Sequence, residues 1–275
     1  CYPAKLAHGH VEWLIRQNVD RIFYPCIPYE EKEFDDVDNW YNCPIVMSYP
    51  ETIKHNQDDV QKAGITFLNP FLPFDNDQRL EERLAEIFGV YGINRLEITE
   101  AMDAAIAEKE AFRRDMEKKG EETIAYLKET GQKGIVLAGR PYHIDPEVNH
   151  GLDHIITGLD MAVLTEDAIA HLYHPKADER FRVLDQWKYH SRLYKAAEVV
   201  NQHDFLELVQ LTSFGCGLDA ISSEQTAELL QKRGRLYTIL KIDEGKNNGA
   251  VNIRIRSLLA AMKAKRTTVF EPSEE

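Results

Sequence analysis

Hydrophobic residues recur at helical spacing over residues 4–17, where Leu6, Val11, Trp13 and Leu14 mark one side, so the pattern predicts a helix. It feeds a short β-rich run at residues 19–24, closed by Pro25. An acidic, aromatic loop spans residues 27–42, and residues 43–48 read as a buried strand. Pro50 stands near the start of a predicted helix over residues 49–56, and a strand is expected at 65–68. Between residues 94 and 130 the character changes: Leu96, Met102, Ala105, Ile106, Phe112 and Met116 form one apolar stripe among many charges. That is a long amphipathic helix with one packed and one solvated face, and a break is expected near Gly120. In the second half strands are predicted at 134–138, 161–165, 205–211 and 235–242. Helices are predicted at 151–158, at 222–233 with a serine cap, and at 251–262. Strands alternating with helices imply βαβ units and mostly parallel sheets. The predicted fold class is α/β: an incomplete N-terminal lobe over 1–93, a connecting long helix over 94–130 and a C-terminal lobe over 131–275.

Composition narrows the function classes. The 275 residues are enough for each lobe to bury its own core, so neither disulfides nor metal are needed merely to hold the chain folded. Net charge is −13, which argues against a general nucleic-acid binder, because such proteins draw affinity from Lys and Arg paired with phosphates. No apolar run reaches the roughly 18 residues that cross a bilayer, and no secretory signal opens the chain. A cytoplasmic location without membrane or nucleic-acid partners is expected. The first residue is Cys1 rather than Met, which suggests a piece of a longer protein.

In open α/β sheets ligands gather outside the carboxyl ends of the strands. There the second half carries GRPYH (139–143), Glu166, SFGCG (213–217) and Asp243, so Cys216 is expected near Arg140, His143, Glu166 and Asp243. The other three cysteines also neighbour proline: Cys1 in CYP, Cys26 in YPCIP and Cys43 in NCP. Rigid loops of this kind fix a sulfur and offer it N–H donors, and four thiolates suit tetrahedral zinc or a [4Fe–4S] cluster equally. The spacing contains no C-x-x-C, so buried or incidental thiols remain an alternative. Cys43 precedes its predicted strand, so the loop from Ile27 has to fold back for it to join the others. His150 and His154 share a helix face but lack a carboxylate partner, and read as surface or capping residues. H-E-x-x-H, G-x-S-x-G, Walker-type and dinucleotide motifs are absent. Arg140 either holds an anion or forms a structural salt bridge.

Taken together, CYPAKLAHGH (1–10), YPCIP (24–28), YNCP (41–44), GRPYH (139–143), SFGCGLD (213–219) and LKIDEG (240–245) with RIRS (254–257) carry a resemblance. The chain resembles the dehydratase-like, DUF2229-type portion of the large activators of 2-hydroxyacyl-CoA dehydratase, from the first residue to about Lys265. The resemblance implies an oxygen-sensitive iron–sulfur protein of anaerobes. It implies two flavodoxin-like or Rossmann-like lobes, with a [4Fe–4S] cluster held between them by cysteines from both. In such systems an ATP-dependent activator injects a low-potential electron, which reaches an acyl-CoA thioester carbonyl and makes a ketyl radical from which hydroxyl leaves. Other relatives in the superfamily carry double-cubane clusters and reduce small molecules.

Two departures limit the transfer. The actin-like ATPase module is not in these 275 residues, and the dehydratases proper typically use three cysteines where four candidates occur here. The expectation is therefore an electron-transfer or radical-dehydration component with Cys1, Cys26, Cys43 and Cys216 as ligands. Arg140, His143 and Asp243 are expected to contact substrate or support the ligands. An ATP-dependent activator or reductase partner, an acyl-CoA and assembly into a dimer or larger are also expected. The alternatives are a non-catalytic docking domain with zinc or no metal, and a metal-free α/β enzyme binding a phosphate-bearing ligand.

Overall fold

The computed structural model describes residues 2–62, 64–175, 184–213, 215–242, 245 and 248–267. The chain divides into two compact units: Cys1–Lys119 with His174–Arg192, and Gly120–Tyr173 with Leu193–Glu275. Each holds a parallel sheet, and the fold class is α/β.

The first unit opens with α1 (Tyr2–Arg16) and β1 (Arg21–Phe23), as the periodicity predicts. The expected strand at 43–48 is instead the start of a helix, α2 (Pro44–Asn56), with Cys43 at its N-cap and Pro44 in its first turn. Proline suits that position because its fixed φ is already helical and its missing N–H has no partner to lose. Pro50, read as a helix start, lies inside α2. A short α3 (Asp58–Lys62) leads to β2 (Thr66–Leu68), which pairs in parallel with β1. Ala7 and Val11 of α1, Ile22 of β1, Tyr49 and Ile53 of α2 and Val60 of α3 form the buried core. Full burial of such an aliphatic or aromatic side chain is worth about 1.5–3 kcal/mol.

Asn76 caps the next helix, α4 (Asp77–Gly89), by accepting from the Arg79 N–H. It was not predicted, although Leu80, Leu84, Ile87 and Phe88 repeat at helical spacing. The long helix α5 (Arg95–Thr130) runs unbroken through Gly120, contrary to the expected break. That glycine answers a packing need: a Cβ there would lie 2.0 Å from the Ala168 carbonyl oxygen.

The second unit carries β3 (Gly134–Ala138), α6 (Leu152–Thr157), β4 (Ala162–Thr165), β5 (Leu206–Ser213), α8 (Gly217–Gln231), β6 (Tyr237–Ile242) and α9 (Asn248–Thr267). Before β5 comes α7 (Lys188–Asn201), a helix not expected from the hydrophobic pattern. All four strands are parallel in the order β4-β3-β5-β6. Within this unit that is 2-1-3-4, the start of a flavodoxin-like order, and it reverses direction between β3 and β5. Every residue of β3 and β5 is buried, as expected of central strands covered on both faces. The serine cap predicted at Ser222 is corrected: α8 begins five residues earlier, Cys216 is its N-cap, and Ser222 is buried in the helix.

Candidate functional site

Parallel sheets of this order leave a crevice at the carboxyl ends of the two strands where the order reverses. Here β3 runs into Gly139 and Arg140, and β5 ends at Ser213, three residues before Cys216. Gly139 is required by close approach, since a Cβ would stand 2.5 Å from His143 Nδ1 and 3.0 Å from the Leu211 carbonyl oxygen. After it the chain makes a single 3-10 turn, Pro141–Ile144, whose side chains Tyr142 and His143 fold back over β5.

The polar groups of this edge form a closed circuit. The Arg140 backbone N–H donates to His143 Nδ1 at 3.0 Å, so the neutral ring carries its proton on Nε2, which donates to Ser213 Oγ at 3.0 Å. The Ser213 backbone N–H donates to Asp219 Oδ2 at 3.3 Å, and Arg140 Nη2 donates to Asp219 Oδ1 at 2.6 Å. The circuit thus returns to the residue where it began. Tyr142 and Ser213 share a further hydroxyl hydrogen bond of 3.0 Å. From Arg140 Nη2 to Cys216 Sγ the distance is 3.7 Å.

Electrostatics follow from burial and this wiring. Burial, and then the Arg140 charge, hold His143 down at about 3, so its ring is neutral. Burial pushes the Tyr142 phenol up to about 12 although Ser213 and Arg140 oppose it. For Arg140 burial works against the cation, and Asp219, with Cys216 and Tyr142, outweighs it, raising the guanidinium above its ordinary value. Because His143 Nε2 donates to Ser213, it cannot take the serine proton, and a serine–histidine nucleophile is excluded. The edge is built to hold groups still.

Of the residues proposed from sequence, Arg140, His143 and Cys216 meet here; Glu166 is buried just beyond the end of β4. Asp243 and Cys1 lie outside the described residues. Cys26 and Cys43 fall in the first unit. Cys26 is fully covered, pairs with Phe71 in a one-residue parallel bridge and points its thiol toward the Asn69 carbonyl at 3.9 Å. Burial, reinforced by Glu51, pushes that thiol up. Cys43 is half-buried, with its backbone N–H held by Asn42 Oδ1 at 2.8 Å and its side chain making no cap. All three described cysteines are free thiols. Asp219 and Ser213 were not proposed, although both lie in the stretch around Cys216 and an aspartate in a helix's first turn is a recognisable signal.

Cys216 is half-exposed, its side chain makes no capping hydrogen bond although it stands at the N-cap of α8, and its sulfur faces a buried cation that offers N–H donors. Such a sulfur fits a metal or cluster ligand. Among the described residues no group of three or more His, Cys, Asp and Glu stands together to hold a metal ion. No described helix is long and apolar enough to cross a membrane.

No curated protein and no solved structure matches the chain. The family described as CoA enzyme activase uncharacterised domain (DUF2229) matches over residues 1–169 of the 275, and the chain belongs to it.

Proposed function

We propose that this chain is an iron–sulfur component of a CoA-linked redox system, with Cys1, Cys26, Cys43 and Cys216 as the ligands of a [4Fe–4S] cluster. The observation that carries the reading is the placement of Cys216 at the strand-order reversal, its sulfur turned to a clamped guanidinium. Membership of a CoA enzyme activase family supports the CoA linkage and an enzyme partner. The matched residues 1–169 include Cys1, Cys26, Cys43, Arg140 and His143. Bound, the cluster supplies low-potential one-electron transfer. The chain's own residues contribute a fixed sulfur, a dry polar edge and a permanently charged guanidinium beside it. An ATP-dependent activator or reductase is the proposed electron source, an acyl-CoA thioester the proposed acceptor, and kinship with the 2-hydroxyacyl-CoA dehydratases belongs to the same reading.

Anaerobic reconstitution with iron and sulfide, followed by EPR of the reduced protein and of each Cys→Ser variant, tests it. Loss or change of the signal in the variants is the expected result; four variants with the parent spectrum overturn the ligand set. A second reading is a metal-free site for a phosphate-bearing ligand, with the buried Arg140 guanidinium as its anion contact. It predicts binding of CoA by protein stripped of metal.

A further inference from the structure

We propose that Arg140 is a positioning residue for Cys216, holding its sulfur through one hydrogen of Nη2 while Asp219 anchors the other. The inference rests on the cluster reading above only for its effect on potential; the contact itself needs no metal.

The geometry makes the arginine over-determined. Nη2 carries two hydrogens, and it donates to Asp219 Oδ1 at 2.6 Å and reaches Cys216 Sγ at 3.7 Å. The Arg140 and Asp219 side chains are exposed by only 9% and 8%, so the pair is not loosened by water. Asp219 cannot swing away, because its second oxygen accepts from the Ser213 backbone at the end of β5. The arginine backbone cannot shift, because its N–H is held by His143, which is in turn held by Ser213. A long flexible cation is thereby fixed at both ends, and the second hydrogen of its Nη2 is aimed at a sulfur. Donors arranged this way around a ligand orient it and favour its more negative state. An ion pair needed only for stability could put its carboxylate partner anywhere along the buried edge. Here the carboxylate lies in the first turn of the helix that Cys216 caps, so pair and sulfur are set by one element.

Two measurements on the full chain test this. In metal-free protein with nitrogen-15-labelled arginine, the Arg140 Nη–H signals should be resolved and slow to exchange. They should move in Cys216→Ser and exchange rapidly in Asp219→Asn. Signals unchanged in Cys216→Ser would overturn the contact, whatever the cluster does. In anaerobically reconstituted protein, Arg140→Leu should keep its iron while its one-electron reduction equilibrium shifts roughly tenfold toward the oxidised state, about 59 mV lower. An unchanged potential with the cluster retained would overturn the influence on the sulfur. Should Arg140→Leu fail to fold, Arg140→Lys keeps a cation for Asp219 without the forked geometry, and a smaller shift in the same direction is expected; none would count against the proposal. If the unaltered chain takes up no iron and sulfide, the cluster reading fails, and the positioning role is decided by the metal-free spectra alone.

Discussion

The two units set cysteine against charge in opposite ways. In the first, Cys26 is fully covered, with a carboxylate rather than a fixed cation as the stronger charge acting on it, and its thiol is pushed up. The charges of that unit are spent on pinning a loop instead: Glu33 takes two bonds from Arg192 Nε at 2.7 and 2.9 Å, and Glu31 pairs with Lys109 at 3.0 Å. In the second, a buried cation is drawn to the end of the sheet and set 3.7 Å from the sulfur of Cys216. Burial alone suppresses a thiolate, whereas the half-exposed sulfur of Cys216 has an anchored N–H donor beside it. The polar circuit of the second unit is where substitution should be felt most.

Removing one member of the buried pair is the strongest way to break that contrast. Asp219→Ala takes the carboxylate from the buried Arg140 cation, and a loss of about 3–5 kcal/mol is expected in urea unfolding. Gly120→Ala comes next. Helix propensity alone would favour alanine by about 1 kcal/mol. The added Cβ would lie 2.0 Å from a backbone oxygen that cannot step aside, so a net loss of about 1–3 kcal/mol is expected in the same assay. A gain would mean that α5 and residue 168 do not pack as described.

Acid sharpens the comparison. His143 sits at about 3 when folded and titrates near 6.5 when unfolded. Below 6.5 the unfolded chain binds a proton that the folded one refuses, so this contribution is whole above 6.5 and is lost as pH falls toward 3. The slope is about 1.4 kcal/mol per pH unit. His143→Gln should remove that component of the slope, and a slope unchanged from the parent would show that the ring is not buried neutral. At the small end, Lys62→Ala removes an exposed pair with Asp58 at 3.1 Å and should change stability by less than about 1 kcal/mol.

How far the sequence announced this depends on the range of the forces involved. The strands of the second unit were legible because a parallel strand covered on both faces reads as an unbroken apolar run, as in residues 134–138 and 206–211. The apolar triplet Ile45, Val46 and Met47 was misread because so short a run fits a strand or a helix equally, and the decisive signal was Pro44 at the first helical turn. Helix α8 was started too late because glycine flanks its true cap, Cys216, and the serines farther along imitate one. The meeting of Arg140 with Cys216 followed from strand alternation alone. Asp219 escaped because the helix was expected to start at residue 222, which left it in a loop rather than in the first turn of α8, where its carboxylate faces Arg140.

What the cysteine sulfurs hold decides the function. Protein prepared without oxygen and analysed for iron, acid-labile sulfide and zinc is predicted to carry about four iron and four sulfide per chain, reduced in Cys216→Ser. Stoichiometric zinc without sulfide, or a Cys216→Ser variant with the full complement of iron, would contradict it.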